Sequence, residues 1–357
     1  MIQNSRRSQI TRRALLASAL TLGGASMVPV LLKRQGLLPL SNGRLNRTFL
    51  SHTALLRRLV EPEPEGTRGG WVKHKSNPVL GREFGVCFDV CVLREEGLYR
   101  MWFSWRPQRS IGITESLDGI VWSKPKIILQ PKLEWESIVN RPAVLRRPGG
   151  YEMWYTGQDM ERSWIGHAAS PDGYSWERTS EYPVFAPEAS WEEKSVMAPH
   201  VLYDEEQKQY RMWYSGGDQY EPNAIGYALS SDGQHWSRLP QPVFTPGSHG
   251  AFDQDRVAGP CVVQQGGWHI MFYIGFRDVT DASIGIARSK DGVTGWQRHP
   301  ANPIIAPGQH FSEWDFESVY KPSAIVEQDR WMLWYNGRRE TVEQIGLALH
   351  PGTNLGF

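Results

Sequence analysis

Cysteine is scarce: the 357 residues contain three, too few for a disulfide framework. Cys87 and Cys91 stand on one extended stretch, which holds them too far apart to bond each other. Charge of one sign is also missing. Lys and Arg number 39 against 38 Asp and Glu, and the balance of +1 offers no bulk attraction to nucleic acid or to an anionic membrane. HExxH, CxxC and calcium-loop patterns are absent, so no metal is expected. The glycine pairs sit in turn contexts and not ahead of helices, so neither a nucleotide nor any other cofactor is expected.

What the chain has is aromatic residues in phase. Tyr210–Trp236 reads "YRMWYSGGDQYEPNAIGYALSSDGQHW": an apolar strand, a polar turn, a strand beginning "IGYA", and an Asp-Gly turn before Trp. The pattern recurs at Tyr99–Trp122, Tyr151–Trp176 and Trp268–Trp296, and once more at Trp331–Pro351 without its final Trp. Such self-similarity marks a repeat architecture whose units bury their faces against each other, so one domain is expected over residues 71–357. Apolar residues at 40% and 16 Trp can fill its core.

The start of the chain reads differently. "TRRALL" at Thr11–Leu16 opens an apolar run reaching Leu32. Paired arginines before such a run resemble a twin-arginine export signal. No A-x-A cleavage site follows, so residues 1–34 read as a signal or as a retained membrane anchor, and the plain alternative is a disordered basic tail. The expected location is outside the cytoplasm, periplasmic or extracellular. Residues 35–70 read as a connector, with a short amphipathic helix carrying Phe49, Leu55, Leu56 and Leu59, followed by the linker "EPEPEG".

Each repeat offers four strands separated by Asp-Gly, Gly-Gly and Pro turns. Four antiparallel strands make a propeller blade, so the expected fold is an all-β, five-bladed β-propeller. Trp71 precedes "NPVL" as Trp236 precedes "QPVF" and Trp296 precedes "NPII". The Trp71 strand is therefore expected to complete the last blade and close the ring, removing exposed edges. The Asp residues of the Asp-Gly turns (Asp118, Asp172, Asp232, Asp291) need only a turn to explain them.

In a propeller the first strand of each blade lines the central funnel. Aligned on "x-Pro-x-Val-Leu", the residue before Pro is Asp89, Arg141, Ala198, Gly259 or Lys321; two residues on stand Cys91, Ala143, His200, Cys261 and Ser323. Strand alternation predicts one shared face for both sets. Charge in a narrow funnel is costly, and an internal ion cluster competes with a binding site as its explanation. Upstream, the acid after an aromatic (Glu136, Glu192, Asp253, Asp315) recurs and reads as a structural turn or cap. Asp255 and Glu317 do not recur in every repeat and are better site carboxylates. Arg106, Asp159, Asp218 and Arg277 follow second strands, where solvated surface charge is the ordinary reading and a ring around the mouth is the functional one.

Together, "NPVL…P-x-V-L…Y-x-MWY-(S/T)-G…IG-x-A-x-S-x-DG-x-x-W" resembles the five-bladed glycosidase propellers: arabinanases and xylosidases, invertases and levansucrases, and mannoside phosphorylases. The likeness spans Trp71–Pro351. It implies a base or nucleophile in the first blade, a helper carboxylate in the second and an acid in the third. Asp89 matches the first, whereas Arg141 and Met197 occupy the other two places. The expectation is a glycoside hydrolase with Asp89 as base or nucleophile and Glu317 as acid, Asp255 being the alternate. Arg141, His200, Lys321 and Arg256 would hold a carbohydrate, neutral or anionic, aided by Arg106, Asp159, Asp218 and Arg277. Trp105 and Tyr220 would stack on sugar rings. A propeller that binds glycans or a protein without catalysis is the rival reading, and a phosphorylase or transferase is the third.

Overall fold

Apolar residues in two-residue alternation, bounded by turns, form the strands found in a computed structural model that describes residues 66–218, 222–278 and 281–357. The expected signal or anchor, the connector helix and Tyr220 lie outside the described residues. β1 (Val72–Lys73) is followed by a first unit of β2 (Cys87–Glu95), β3 (Leu98–Trp105), β4 (Ser110–Ser116) and β5 (Lys126–Leu129). β6 (Ile138–Arg147), β7 (Gly150–Gln158), β8 (Ser163–Ser170) and β9 (Glu177–Arg178) form a second. The third is β10 (Ser195–Asp204), β11 (Gln209–Gly217), β12 (Pro222–Ser230) and β13 (Ser237–Arg238). β14 (Arg256–Gln265), β15 (Trp268–Asp278), β16 (Asp281–Ser289) and β17 (Gln297–Arg298) form the fourth. The last comprises β18 (Ser318–Val326), β19 (Arg330–Arg339) and β20 (Val342–Pro351), with β1 as its outer strand through the pairs Val72↔Leu349 and Lys73↔Ala348. The strands within every unit pair antiparallel, and a parallel bridge, Ser195↔Ser163, joins the second and third into an eight-stranded sheet.

The core lies between units. Trp102, Ile113, Tyr151 and Met153 pack the first against the second, and Trp154, Val201 and Met212 the second against the third. Leu80, Val90, Met101, Met332 and Trp334 pack the last against the first. Indole N–H groups add a directed bond to each contact: Trp102 donates to Gly173 O (3.2 Å), Trp154 to Gly233 O (2.7 Å), Trp213 to Gly292 O (2.7 Å) and Trp334 to Gly119 O (3.0 Å). The acceptors are carbonyls of the Asp-Gly turns. In each turn the Asp Oδ1 receives two following backbone N–H groups, as Asp172 does from Tyr174 and Ser175 at 2.8 Å each. Those bonds hold the Asp172 carboxyl down at about 2.

The acid after the aromatic closes each unit internally. Glu136 accepts from Tyr155 OH (2.6 Å) and Arg178 Nη2 (2.7 Å); Glu192 from Tyr214 OH (2.6 Å) and Arg238 Nη1 (2.6 Å). Asp253 accepts from Tyr273 OH (2.9 Å) and Arg298 Nε (2.7 Å), and Asp315 from Tyr335 OH (3.1 Å) and Lys73 Nζ (2.7 Å). In the last case the cation comes from β1, at the other end of the described chain. All four carboxylates are buried. Burial works against the charge of Glu136, but the bonds from Arg178 and Tyr155 outweigh it and keep its pKa below the ordinary value. The preceding aromatic lies flat over two glycines: a Cβ at Gly216 or Gly226 would meet Trp191 at 2.5 and 2.8 Å. Those repeated glycines therefore leave room for a ring. Glu192→Gln should cost about 1–3 kcal/mol, because the buried carboxylate that receives both Tyr214 and Arg238 loses its charge, while Arg238 keeps Glu188 at 3.3 Å; urea denaturation should show a lower midpoint at unchanged slope.

Candidate functional site

The five first strands do not run straight past the funnel. Asp89, Arg141, Ala198, Gly259 and Lys321 all take positive φ (53°, 51°, 49°, 57° and 48°). Pairing with the second strand slips at the same places, for example between Phe88 and Cys91 and between Tyr320 and Ser323. Each first strand thus carries a bulge, so the simple alternation expected of these positions does not hold. Four of the five are not glycine, and left-handed backbone costs a non-glycine residue about 1 kcal/mol or more. Bonds from the preceding unit compensate. The backbone N–H of Asp89 donates to Asn336 Oδ1 (3.0 Å), that of Arg141 to Ser104 Oγ (2.9 Å), that of Ala198 to Thr156 Oγ1 (3.0 Å) and that of Gly259 to Ser215 Oγ (2.8 Å). Ile274 stands at the corresponding place beside Lys321.

The second set of aligned residues forms another belt. Val92 N–H donates to Ser323 Oγ (3.0 Å), Val144 N–H to Cys91 Sγ (3.3 Å) and Ala324 N–H to Cys261 Sγ (3.3 Å). His200 Nε2–H donates to Val262 O at 2.8 Å. Burial, reinforced by the charge of Lys321, pushes the His200 pKa down to about 4, so the ring is neutral. Burial raises the Cys91 thiol to about 11. The side chains at these positions therefore serve unit-to-unit contacts.

Above this belt the structure gathers charge from three units. Asp89 (first) is 3% exposed, and its Oδ2 lies 3.7 Å from Arg141 Nε (second) and 3.3 Å from Ser104 Oγ. Asn336 Nδ2 reaches Asp89 Oδ1 at 3.4 Å. Arg141 Nη1 donates to Asn140 Oδ1 at 3.1 Å. Lys321 (fifth) is 4% exposed; burial lowers its pKa, with the Asp89 charge opposing. Beside them, Glu343 Oε2 lies 2.7 Å from Arg106 Nη2, and Glu317 Oε2 lies 3.3 Å from Arg338 Nε. Tyr320 feels the charges of both Glu343 and Asp89; burial first, then Glu343, raises its phenol well above the ordinary value. The third and fourth units bring apolar residues at these positions: Met197 and Ala198 are buried, and Ala258, Ile274 and Ala282 form a buried cluster against which Tyr320 packs.

The remaining expected site residues make contacts of other kinds. Asp255 is 40% exposed in its side chain and pairs with its neighbour Arg256 at 3.2 Å. Asp159 Oδ1 accepts from the N–H groups of Glu161 and Arg162, both at 2.7 Å, and so caps its own turn. Arg277 Nε lies 3.9 Å from Asp281, and Asp218 is exposed on its loop. Glu193 accepts from Asn223 at 2.8 Å. Trp105 Nε1 donates to Phe84 O at 2.8 Å. Sequence reading assigned no role to Glu343 or Tyr320. For Tyr320 a signal existed: it aligns with Phe88, Asn140, Met197 and Ala258, the one acidic hydroxyl in that column. Among the described residues no three His, Cys, Asp or Glu side chains gather as a metal site.

Residues 91–252 match the family described as "Glycosyl hydrolases family 32 N-terminal domain". That stretch includes Arg141 and Met197 and begins just after Asp89. The chain is 29% identical over 278 residues to the uncharacterized protein MT1551 of Mycobacterium tuberculosis (strain CDC 1551 / Oshkosh), covering 71% of this chain and 89% of that one. Among solved structures, a protein described as a glycoside hydrolase superposes with a TM-score of 0.64 at 17% identity, over 86% of this chain and 96% of its own. The β-1,2-mannobiose phosphorylase of Listeria innocua superposes with a TM-score of 0.63 at 15% identity, over 78% and 96%. At such identities the superpositions show a shared fold.

The His200 ring predicts a pH effect on stability. Its folded pKa of about 4 lies below the ordinary 6.5, so on acidification the unfolded chain takes the proton first. The stabilisation is complete above about pH 6.5 and is lost as pH falls towards 4. Urea melts of His200→Gln should therefore show a fall in stability between pH 7 and pH 4.5 that is smaller than wild type by about 2 kcal/mol.

Proposed function

We propose, from the match to the glycosyl hydrolase family 32 N-terminal domain and the fold shared with a glycoside hydrolase and a mannobiose phosphorylase, that this chain is a carbohydrate-active propeller, a glycoside hydrolase working at the centre of the ring. The observation that carries the reading is Asp89: a buried carboxylate on a left-handed bulge, beside Arg141, where the resemblance expects the base or nucleophile. We read the five four-stranded units as five blades. The pairing of β1 with β20, the Lys73–Asp315 bond and the Trp334–Gly119 bond support a ring closed between its ends. In the same proposal the segment before residue 35 carries the chain out of the cytoplasm, as a cleaved signal or as an anchor.

Hydrolysis needs a proton for the leaving oxygen and a carboxylate that attacks carbon or activates water. Asp89 takes the second role. Glu317 takes the first; it is buried beside Arg338 just ahead of the strand that carries Lys321, whereas the alternate Asp255 is exposed. Arg141 and Lys321 orient the sugar. Arg141 and Met197, standing where the family places its helper carboxylate and its acid, favour a second reading in which the ring binds a glycan without cleaving it.

The experiment is a screen of the purified chain against aryl glycosides and polysaccharides, with and without inorganic phosphate. Turnover is expected, and Asp89→Asn should lower kcat/KM at least about a thousandfold, the ordinary scale for losing a nucleophile or base. Glu317→Gln should lower kcat most for poor leaving groups. Products that form only with phosphate would move the activity to phosphorolysis. Glycan binding with no turnover, unchanged in Asp89→Asn, would sink the hydrolase and leave the binding propeller.

A further inference from the structure

The cations at the centre are not paired as the cations that close the units are. Arg178, Arg238, Arg298 and Lys73 meet their buried carboxylates at 2.7, 2.6, 2.7 and 2.7 Å. Arg141 stands off Asp89 at 3.7 Å, and Lys321, though 4% exposed, has no ion pair within 4 Å and no hydrogen-bond acceptor among the described residues. A buried ammonium without an acceptor is costly. It is also not wholly sealed, since Lys321 Nζ is absent from the fully enclosed side-chain atoms that lack a partner. Its surroundings converge from four units: Asp89 and Cys91, Arg141, Cys261, and His200, whose pKa the Lys321 charge helps depress.

Counting charge narrows what would satisfy it. Arg106 is balanced by Glu343 and Arg338 by Glu317. His200 is neutral and its Nε2 is taken by Val262 O. Asp89 offsets one of Arg141 and Lys321, which leaves a surplus of one positive charge. A monoanion fits that surplus; a phosphate, carrying about −1.5 to −2 at neutral pH, overshoots it. Resting on the carbohydrate reading above, we propose that the central site takes a sugar bearing its own carboxylate, a uronic acid residue, with the carboxylate received by Lys321 and Arg141. The ammonium gains its missing acceptor, and the guanidinium offers the planar donors that match a carboxylate.

The test is calorimetric titration of the full chain at pH 7 with methyl glucuronide and methyl galacturonide, their neutral hexoside counterparts, and inorganic phosphate. A uronide should bind at least tenfold more tightly than its neutral counterpart and more tightly than phosphate, with affinity falling as salt rises. Lys321→Met and Arg141→Gln should each remove that preference, with circular dichroism unchanged; replacing a poorly paired buried cation by an apolar residue need not destabilise the fold. Equal affinity for uronide and hexoside overturns this proposal while leaving the carbohydrate reading in place. Phosphate as the preferred anion, or a uronide preference that survives both substitutions, also overturns it. Lys321→Met that melts higher than wild type with ligand binding unaltered identifies an internal ion cluster and ends the proposal.

Discussion

A buried carboxylate held by a tyrosine hydroxyl and a basic side chain is the interaction on which four of the five units depend. The carboxylate precedes the first strand, the tyrosine sits on the second, and the cation comes from the fourth; Glu192, Tyr214 and Arg238 are one instance. None of the three elements touches the others through backbone pairing alone across the whole unit, so the triad sets where the inner strand stands relative to the outer one. That the last instance draws Lys73 from β1 has a larger effect. The chain's two described ends are fixed to each other by the same bond that orders each unit internally.

The first unit is the exception. Phe103 stands where the others have tyrosine, Gly85 and not an acid follows the aromatic Phe84 ahead of β2, and Trp105 replaces the glycine that elsewhere makes room for a ring. Trp105 is tied instead to Phe84 O, and Arg106 beyond it covers Phe88 and meets Glu343. The unit that contributes Asp89 is thus the one released from the common clasp. Its loop is built around contacts with the last unit, which also supplies Asn336, Lys321 and Tyr320 to the surroundings of Asp89.

Much of this was readable from the residues. Strand runs in phase gave the units, Asp-Gly dipeptides gave the turns, and the recurrence of an acid after an aromatic identified Glu136, Glu192, Asp253 and Asp315 as structural. Recurrence works because equal residues in equal frames answer equal packing demands. The bulges were not readable, since period-two alternation has no term for a residue at positive φ, and Val90 removes the Pro that marks the position in the other units. Asp159 looked like charge at a mouth because a carboxylate that caps its own turn has the same sequence appearance as one awaiting a ligand. Glu343 was passed over because its partners, Arg106 and Tyr320, are distant in sequence and belong to no recurring column.

Sharing a framework while differing at its centre has a physical logic. Each left-handed bulge residue is held through its backbone N–H by a hydroxyl or amide from the preceding unit, so its side chain is left out of the holding interaction. Asp, Arg, Ala and Gly occupy equivalent backbone positions without altering that bond, and Lys321 takes the same φ beside Ile274. The scaffold therefore fixes these backbone positions in each unit and leaves their side chains free to vary. Charge concentrates on the three positions from the fifth, first and second units, and apolar groups on the two from the third and fourth. An asymmetric ligand needs such a division, and a ring of identical repeats gains nothing from it.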